Sequence, residues 1–406
     1  MMLFKLAFRN ILRQRRRSLL TGLTIVGGFV LCTFTFSLIE GAWGNAVDFY
    51  TLDSIGHIQV HWADYERKPK VHKTINDRRL VEQTFSANDD VQAFAPRVYS
   101  PALAYAGTKT IPVTVIGVDP DLEAKVSRLK EKTKIGQYYN NAHMRTAMIG
   151  AGIAKSLAID VGDEIALISQ GADGSIANDL YPVTAIVGNK SSTDSRVVYL
   201  SLTTAQEFLS LGESVHEYVL LVRAPNDNEV VAKALETALH LKIPEITVSP
   251  WQVIDETFYR TMQSDKRANR FILGILIFII FIGVLNTVLM SVLERTREFG
   301  VIRAIGSRPS TIVQLIFIET MMLTTLCLLV SIILLVPILA WLVNVGFSLP
   351  EPVDLGGMTF SQIRGGVTPL ALLAPVAYIY SFTVLVTILP AIRAASVTPK
   401  TAMGSH

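Results

Sequence analysis

Four stretches of this chain run for membrane length without one Asp, Glu, Lys or Arg: residues 18–39, 271–293, 320–345 and 367–392. A helix rises about 1.5 Å per residue, so roughly 20 such residues cross the ~30 Å hydrocarbon core of a bilayer. Lipid offers no partner to a backbone N–H or C=O, so each stretch has to be helical. The chain is 50% hydrophobic and 17% charged, below the roughly 25% charge of soluble domains. The expected fold class is a membrane protein with four transmembrane α-helices, at residues 18–39, 270–293, 309–345 and 367–392. Pro337 and Pro375 mark sites for kinks in the last two.

Basic residues orient the spans. Lys5, Arg9, Arg13, Arg15, Arg16 and Arg17 precede the first; Arg295, Arg297, Arg303 and Arg308 separate the second from the third; Arg393 and Lys400 follow the fourth. The loop at 346–366 holds Glu351, Asp354 and a single basic residue, Arg364. Both termini, including a tail at 393–406, are therefore expected in the cytoplasm, with residues 40–269 outside. The first apolar run is too long for a signal peptide and ends without a small-x-small site. Gly404-Ser405-His406 reads as a non-native scar. Within residues 1–17, Leu3, Phe4, Ala7, Phe8, Ile11 and Leu12 recur at helical spacing, and Lys5, Arg9, Asn10 and Arg13 fill the other face. That pattern predicts an interfacial helix resting on membrane lipid, as a topology anchor or as a lever into the first span.

The large segment at 40–269 alternates apolar and polar residues between turn signals. Strands are predicted at 56–62, 110–118, 164–169, 181–187, 196–200 and 218–222, and helices at 151–157, 203–209 and 228–240, giving a mixed α+β domain. The spread of the strands suggests two lobes, one from about 56–119 with 222–248, the other inserted at about 134–221. Stalk helices at 40–52 and 251–269 would lead out of the first span and into the second.

Little here points to chemistry. The net charge of +3 gives no reason to expect nucleic acid. The two cysteines, Cys32 and Cys327, lie within spans, so no disulfide or metal framework is expected. Residues 150–156 (GAGIAKS) lack the glycine that directly precedes the lysine of a phosphate loop, and read as a helix start. His57 and His61 share a strand face without carboxylate or thiol partners at ligand spacing. Catalytic, cofactor-binding and metal-binding residues are all expected to be absent. Glu319, at the end of the third span, is costly there unless paired or snorkelling to the interface; Arg303 and Arg308 are the expected partners.

The segment Glu294–Gly306, ERTREFGVIRAIG, is close to the E-R-x-x-E-I-G-x-x-R-A-x-G signature of FtsX/MacB-type (type VII) ABC transporter permeases. Phe299 replaces the usual aliphatic residue. Pro390-Ala391-Ile392-Arg393-Ala394-Ala395 with Thr398-Pro399 resembles the family's C-terminal ending. Within that family, residues 3–17, 56–61 and 158–164 look most like the lipoprotein-releasing LolC/LolE branch. The resemblance covers nearly the whole chain. It implies a porter-like lobe and an inserted sabre-like lobe outside, and a non-catalytic permease subunit served by two copies of a separate ATPase that holds ATP and Mg. It also implies pairing with a second permease copy or a paralogue, and a periplasmic carrier or adaptor.

By the same resemblance, residues 294–308 form the coupling helix. Glu294, Arg295, Arg297 and Glu298 would bridge to the motor by charge, Phe299, Val301 and Ile302 would fill a groove, and Gly300 and Gly306 would allow close approach or a turn. Arg303 near the end suits the helix dipole. In the first span, Gly22, Gly27 and Gly28 suit a dimer seam. Phe29, Phe34 and Phe36 offer a wall for acyl chains, or simply face lipid. The expected work is mechanotransmission that extracts a lipoprotein or other lipophilic cargo. Tripartite efflux with an adaptor and signalling to a cell-wall hydrolase are the alternatives.

Overall fold

The computed structural model describes residues 2–13, 15–139, 145–190, 192–355 and 358–396. Gly404–His406 and Thr398-Pro399 lie outside the described residues. The chain divides into two units, one of residues 1–45, 262–348 and 362–406, the other of residues 46–261 and 349–361.

The second unit is built on ten strands: β1 (Ile58–Trp62), β2 (Val91–Ala106), β3 (Lys109–Val118), β4 (Thr133–Gly136), β5 (Ala147–Gly150), β6 (Glu164–Gln170), β7 (Ile176–Val187), β8 (Val197–Ser201), β9 (Glu217–Val222) and β10 (Ile246–Pro250). They join in one sheet of order β10-β1-β9-β2-β3-β8-β5-β7-β4, with β6 bridging β2 and β7. The two lobes drawn from the sequence thus share a single sheet. One boundary needs correcting: β9 does not belong with the inserted segment, because it pairs with β1 on one side and β2 on the other. The alternation that half-buries a sheet is plain on β2 and β3. Ala102, Ala104, Val113 and Val115 are buried, while Pro101, Leu103, Tyr105, Pro112 and Thr114 are exposed. Helices Arg78–Ser86 and Asn228–His240 cover the buried side with Val81 and Phe85, and with Val231, Leu235 and Leu239. A further helix, Pro120–Val126, is capped by Asp119, which accepts from the amides of Asp121 and Leu122, with Pro120 at the first position.

A row of charge crosses this sheet. His61, Glu217 and Arg97 are register partners on β1, β9 and β2. His61 Nε2 lies 3.1 Å from Glu217 Oε2. Arg97 donates to both Glu123 oxygens, at 3.0 and 2.7 Å, and its Nη1 is 3.7 Å from Glu217 Oε1. Tyr99 donates to the same Glu217 oxygen at 3.0 Å. Burial alone would raise the Glu217 pKa; His61, Arg97 and Tyr99 outweigh it and hold the carboxyl below its ordinary range. Burial likewise works against the Arg97 charge, but Glu123 and its neighbours keep the guanidinium pKa well above its usual value. Elsewhere in this unit Lys132 bridges Asp53 and Asp194, at 2.7 Å each.

The first unit holds the four long apolar helices, Arg15–Tyr50, Glu256–Glu294, Pro309–Asn344 and Pro369–Ser396, of 36, 39, 36 and 28 residues. The first two extend beyond their charge-free cores and carry the chain into the second unit. Ile25, Phe29, Val284, Val288, Leu328 and Val386 form part of the bundle core. Buried Thr320, Thr324, Ser331, Thr383 and Thr387 satisfy their hydroxyls on the carbonyl four residues back, so small polar residues sit inside the bundle without needing water. Between the third and fourth spans in sequence, strands Phe347–Leu355 and Met358–Ile363 pair in a sheet of their own, most of it in the second unit.

Candidate coupling site

The second span stops at Glu294, and a separate helix, Thr296–Ala304, follows. Gly306 ends it at φ +98°, a left-handed conformation that glycine adopts without strain. Pro309 then opens the third span at its first helical position, where its missing N–H costs nothing. Gly306 and Pro309 thus separate the short helix from the third span.

One face of that helix is anchored. Phe299 is 1% exposed and lies in a cluster with Val292, Ile312, Ile316, Ala391 and Ala394. The small residues of the C-terminal ending are thus where the short helix beds against the fourth span. Arg303 Nη1 donates to the Ala395 carbonyl at 3.0 Å. The other face is open: Glu294, Arg297, Glu298 and Val301 are exposed, and Ile305 is 81% exposed.

Three expected contact residues need correcting. Arg295, Phe299 and Gly300 are buried within this chain, so they do not face outward. Arg295 sits at the junction, its ring-stacked guanidinium 5.2 Å over Phe299. Phe299, larger than the usual aliphatic residue, spends its size inside the bundle. Ile302 is half-buried beside it.

The expected partners of Glu319 also change. Arg295 Nη1 donates to both Glu319 oxygens, at 3.0 and 2.9 Å, and Arg295 Nε donates to Glu298 at 3.0 Å. Asn10 on the N-terminal helix Met2–Arg13 adds a bond to Glu319 Oε2 at 3.3 Å. Arg303 is turned to the fourth span instead, and Arg308 is exposed. A cavity of about 50 Å³ opens beside the pair, lined among others by Thr21, Thr287, Ser291 and Thr320.

In the first span a methyl on Gly22 would meet Cys327 Sγ at 3.3 Å, and one on Gly28 would meet Ile280 at 2.7 Å. These two glycines, with buried Phe29, serve contacts within this chain. Phe34 meets the ring of Phe347 edge-on at 6.3 Å, and Phe36 is half-buried. Gly27 has open space around it and lies at four-residue spacing with exposed Leu19, Leu23 and Leu31. Of the functional residues, Ile305 and Asn10 escaped sequence reasoning. The run Val301-x-x-x-Ile305 was a usable signal for the first; nothing in the sequence links Asn10 to a residue 309 positions away.

Residues 18–238 match the family of MacB-like periplasmic core domains, and residues 270–399 match the FtsX-like permease C-terminal family. The chain is a MacB/FtsX-type permease. The lipoprotein-releasing system transmembrane protein LolE of Haemophilus influenzae is 24% identical over 260 residues, covering 62% of this chain and 61% of LolE. The macrolide export ATP-binding/permease protein MacB of Psychrobacter arcticus is 23% identical over 407 residues, covering 91% of this chain and 54% of MacB. Among solved structures, the periplasmic region of MacB from Actinobacillus actinomycetemcomitans aligns at 14% identity with a TM-score of 0.38, covering 52% of this chain and 96% of that one. The chain thus spans between half and two thirds of these curated relatives. In this MacB/FtsX-type permease the Thr296–Ala304 helix falls inside the FtsX-like match, and strands β1 to β9 of the sheet fall inside the MacB-like one.

Proposed function

We propose that this permease is the membrane part of an ATP-driven transporter whose motor docks on the open face of helix Thr296–Ala304. One observation carries the reading. The helix presents Arg297, Glu298, Val301 and Ile305 to solvent while Phe299 and Arg295 bind its back into the spans. A load applied to the outer face therefore has a rigid path into the bundle. The basic flanks favour a cytoplasmic position for this end and for both termini. The α+β domain then lies across the membrane, where it takes up the motion. The motor, with its ATP and Mg, is on a separate chain present in two copies, and the permease pairs with a second copy or a paralogue. A lipophilic cargo lifted from the outer leaflet, a lipoprotein by analogy with the LolE relative, suits such a machine.

The similarity to MacB over most of the chain favours a second reading, efflux through a periplasmic adaptor. Both readings share the docking face. The test is capture of the permease in mild detergent, followed by mass spectrometry. Wild type should bring down an ATPase; Ile305→Asp should lose it while remaining folded, since Ile305 supports nothing inside. An ATPase retained by Ile305→Asp and by Val301→Asp would reject the docking face. Lipoproteins or a soluble carrier in the capture favour extraction, and an adaptor with an outer-membrane channel favours efflux.

A further inference from the structure

Glu319 collects hydrogen bonds from two elements distant in the chain. Its carboxylate, 16% exposed as a side chain, takes Arg295 Nη1 on both oxygens and the Asn10 amide on one. Arg295 belongs to the start of the coupling helix and Asn10 to the N-terminal helix Met2–Arg13. Ser18 Oγ of the first span donates to the Ile11 carbonyl of that N-terminal helix at 3.0 Å. All these residues belong to the unit that holds the spans.

We propose that Glu319 is a two-way clasp that makes the coupling helix and the N-terminal helix move as one piece about the third span. Bonds between opposite charges are the strong ones, and stronger again away from water. The Arg295–Glu319 contact is therefore the primary one, and the longer Asn10 bond depends on it. Removing Arg295 leaves a shielded carboxylate without its cation. Without the guanidinium that grips both oxygens, the carboxylate is no longer held in place, and the bond from Asn10 loses its fixed acceptor. Removing Asn10 leaves the ion pair whole. The two bonds share one acceptor and so support each other, and the charge-assisted one to Arg295 decides how firmly Glu319 is held. Its use as a lever between motor and first span rests on the transporter reading above, but the clasp itself does not.

The test is amide hydrogen exchange on the full-length permease in lipid nanodiscs without nucleotide, so the result stands whether or not a motor docks. Glu319→Gln and Arg295→Gln should each speed exchange of residues 2–13 and of 296–304 by about tenfold or more. Asn10→Ala should do so for residues 2–13 alone. Arg295→Lys, which keeps the charge, should stay near wild type at residues 2–13. Unchanged exchange in β2 and β9 certifies that the protein is folded. The proposal is overturned if Arg295→Gln frees 296–304 but leaves 2–13 protected, or if Glu319→Gln changes neither. Should the charge variants fail to insert, Asn10→Ala still decides: no change at 2–13 overturns it.

Discussion

Arg97 and Arg295 are both buried guanidiniums held by two glutamates apiece, yet their surroundings differ. Around Arg97 the side chains of Glu123 and Glu217 are 3% and 7% exposed, and all three residues are fixed by strand register and one capped helix. Around Arg295 the exposure climbs outward, from 16% for Glu319 to 52% for Glu298, and the partners come from separate helices. A network whose charges are all nearly buried loses most when one member is removed, because the remaining charges have little direct contact with solvent, even though a cavity of about 180 Å³ borders Arg97 and Glu123. A network that grades into solvent can lose its outer member and keep the inner one. The first is suited to holding a fold, the second to a joint that moves.

Arg97→Ala makes the sharpest test of that distinction. It strands Glu123 and leaves Glu217 to His61 and Tyr99, and it should cost about 3–5 kcal/mol, read from the denaturant midpoint of the detergent-solubilised chain. Arg295→Gln should cost less, about 1–3 kcal/mol, since water reaches Glu298 and part of Glu319. It should also leave the sheet's unfolding transition where it is. Equal losses from the two substitutions would erase the difference between staple and joint.

Much of this fold was legible in residue pattern. Charge-free runs mark the bundle because lipid tolerates nothing else, and the apolar spacing of Asn228–His240 marks a helix face. β2 was not among the expected strands, and it carries Pro96 and Pro101, a residue type that sheets confine to edges and bulges. Each falls where one edge of β2 lacks a partner: β3 pairs only from Arg97 onward, and neither β9 nor β6 reaches Pro101. A missing N–H there removes no ladder bond. At the coupling site, the short helix and its Gly306 turn were readable from local chemistry. Its ionic partners were not, since Arg303 and Arg308 matched Glu319 by proximity in sequence and by charge alone. Side-chain direction decided for Arg295. The pairing of His61 with Glu217 spans 156 positions and leaves no periodic trace.

Acid should separate the two regions further, with a smaller effect. Burial pushes the His57 and His216 imidazoles below their ordinary range, more than their hydrogen bonds raise them. His216 uses both nitrogens in its neutral form: Nδ1 accepts from the Tyr99 amide, and Nε2 donates to the Val71 carbonyl. Below pH of about 6.5 the unfolded chain takes up protons that the folded domain refuses, so stability is full above that pH and falls beneath it. Glu217, with its pKa depressed, adds a second loss of the same sign at lower pH, starting near the ordinary glutamate value of about 4.3. Every histidine except His406 lies between residues 57 and 240. The melting temperature of the domain should therefore drop between pH 7.5 and 5.5 while the bundle's holds. His216→Phe should lower stability at both pH values and shrink the drop; an undiminished drop would move its origin elsewhere.

The smallest effect expected is that of Glu298→Ala. Glu298 meets Arg295 one helical turn away, at 3.0 Å, but half of its side chain is in water. Exposed pairs at this spacing contribute about 0.3–0.5 kcal/mol, and salt screens them within a Debye length of roughly 8 Å at physiological ionic strength. Glu319 retains Arg295 in the variant, so the inner contact survives the loss of the outer one. The midpoint shift should stay within about 0.5 kcal/mol and vanish in 1 M salt. A cost near that of Arg295→Gln, insensitive to salt, would mean that Glu298 and Glu319 hold the guanidinium as one unit. The bundle end would then be as intolerant of a lost member as the sheet, and no joint.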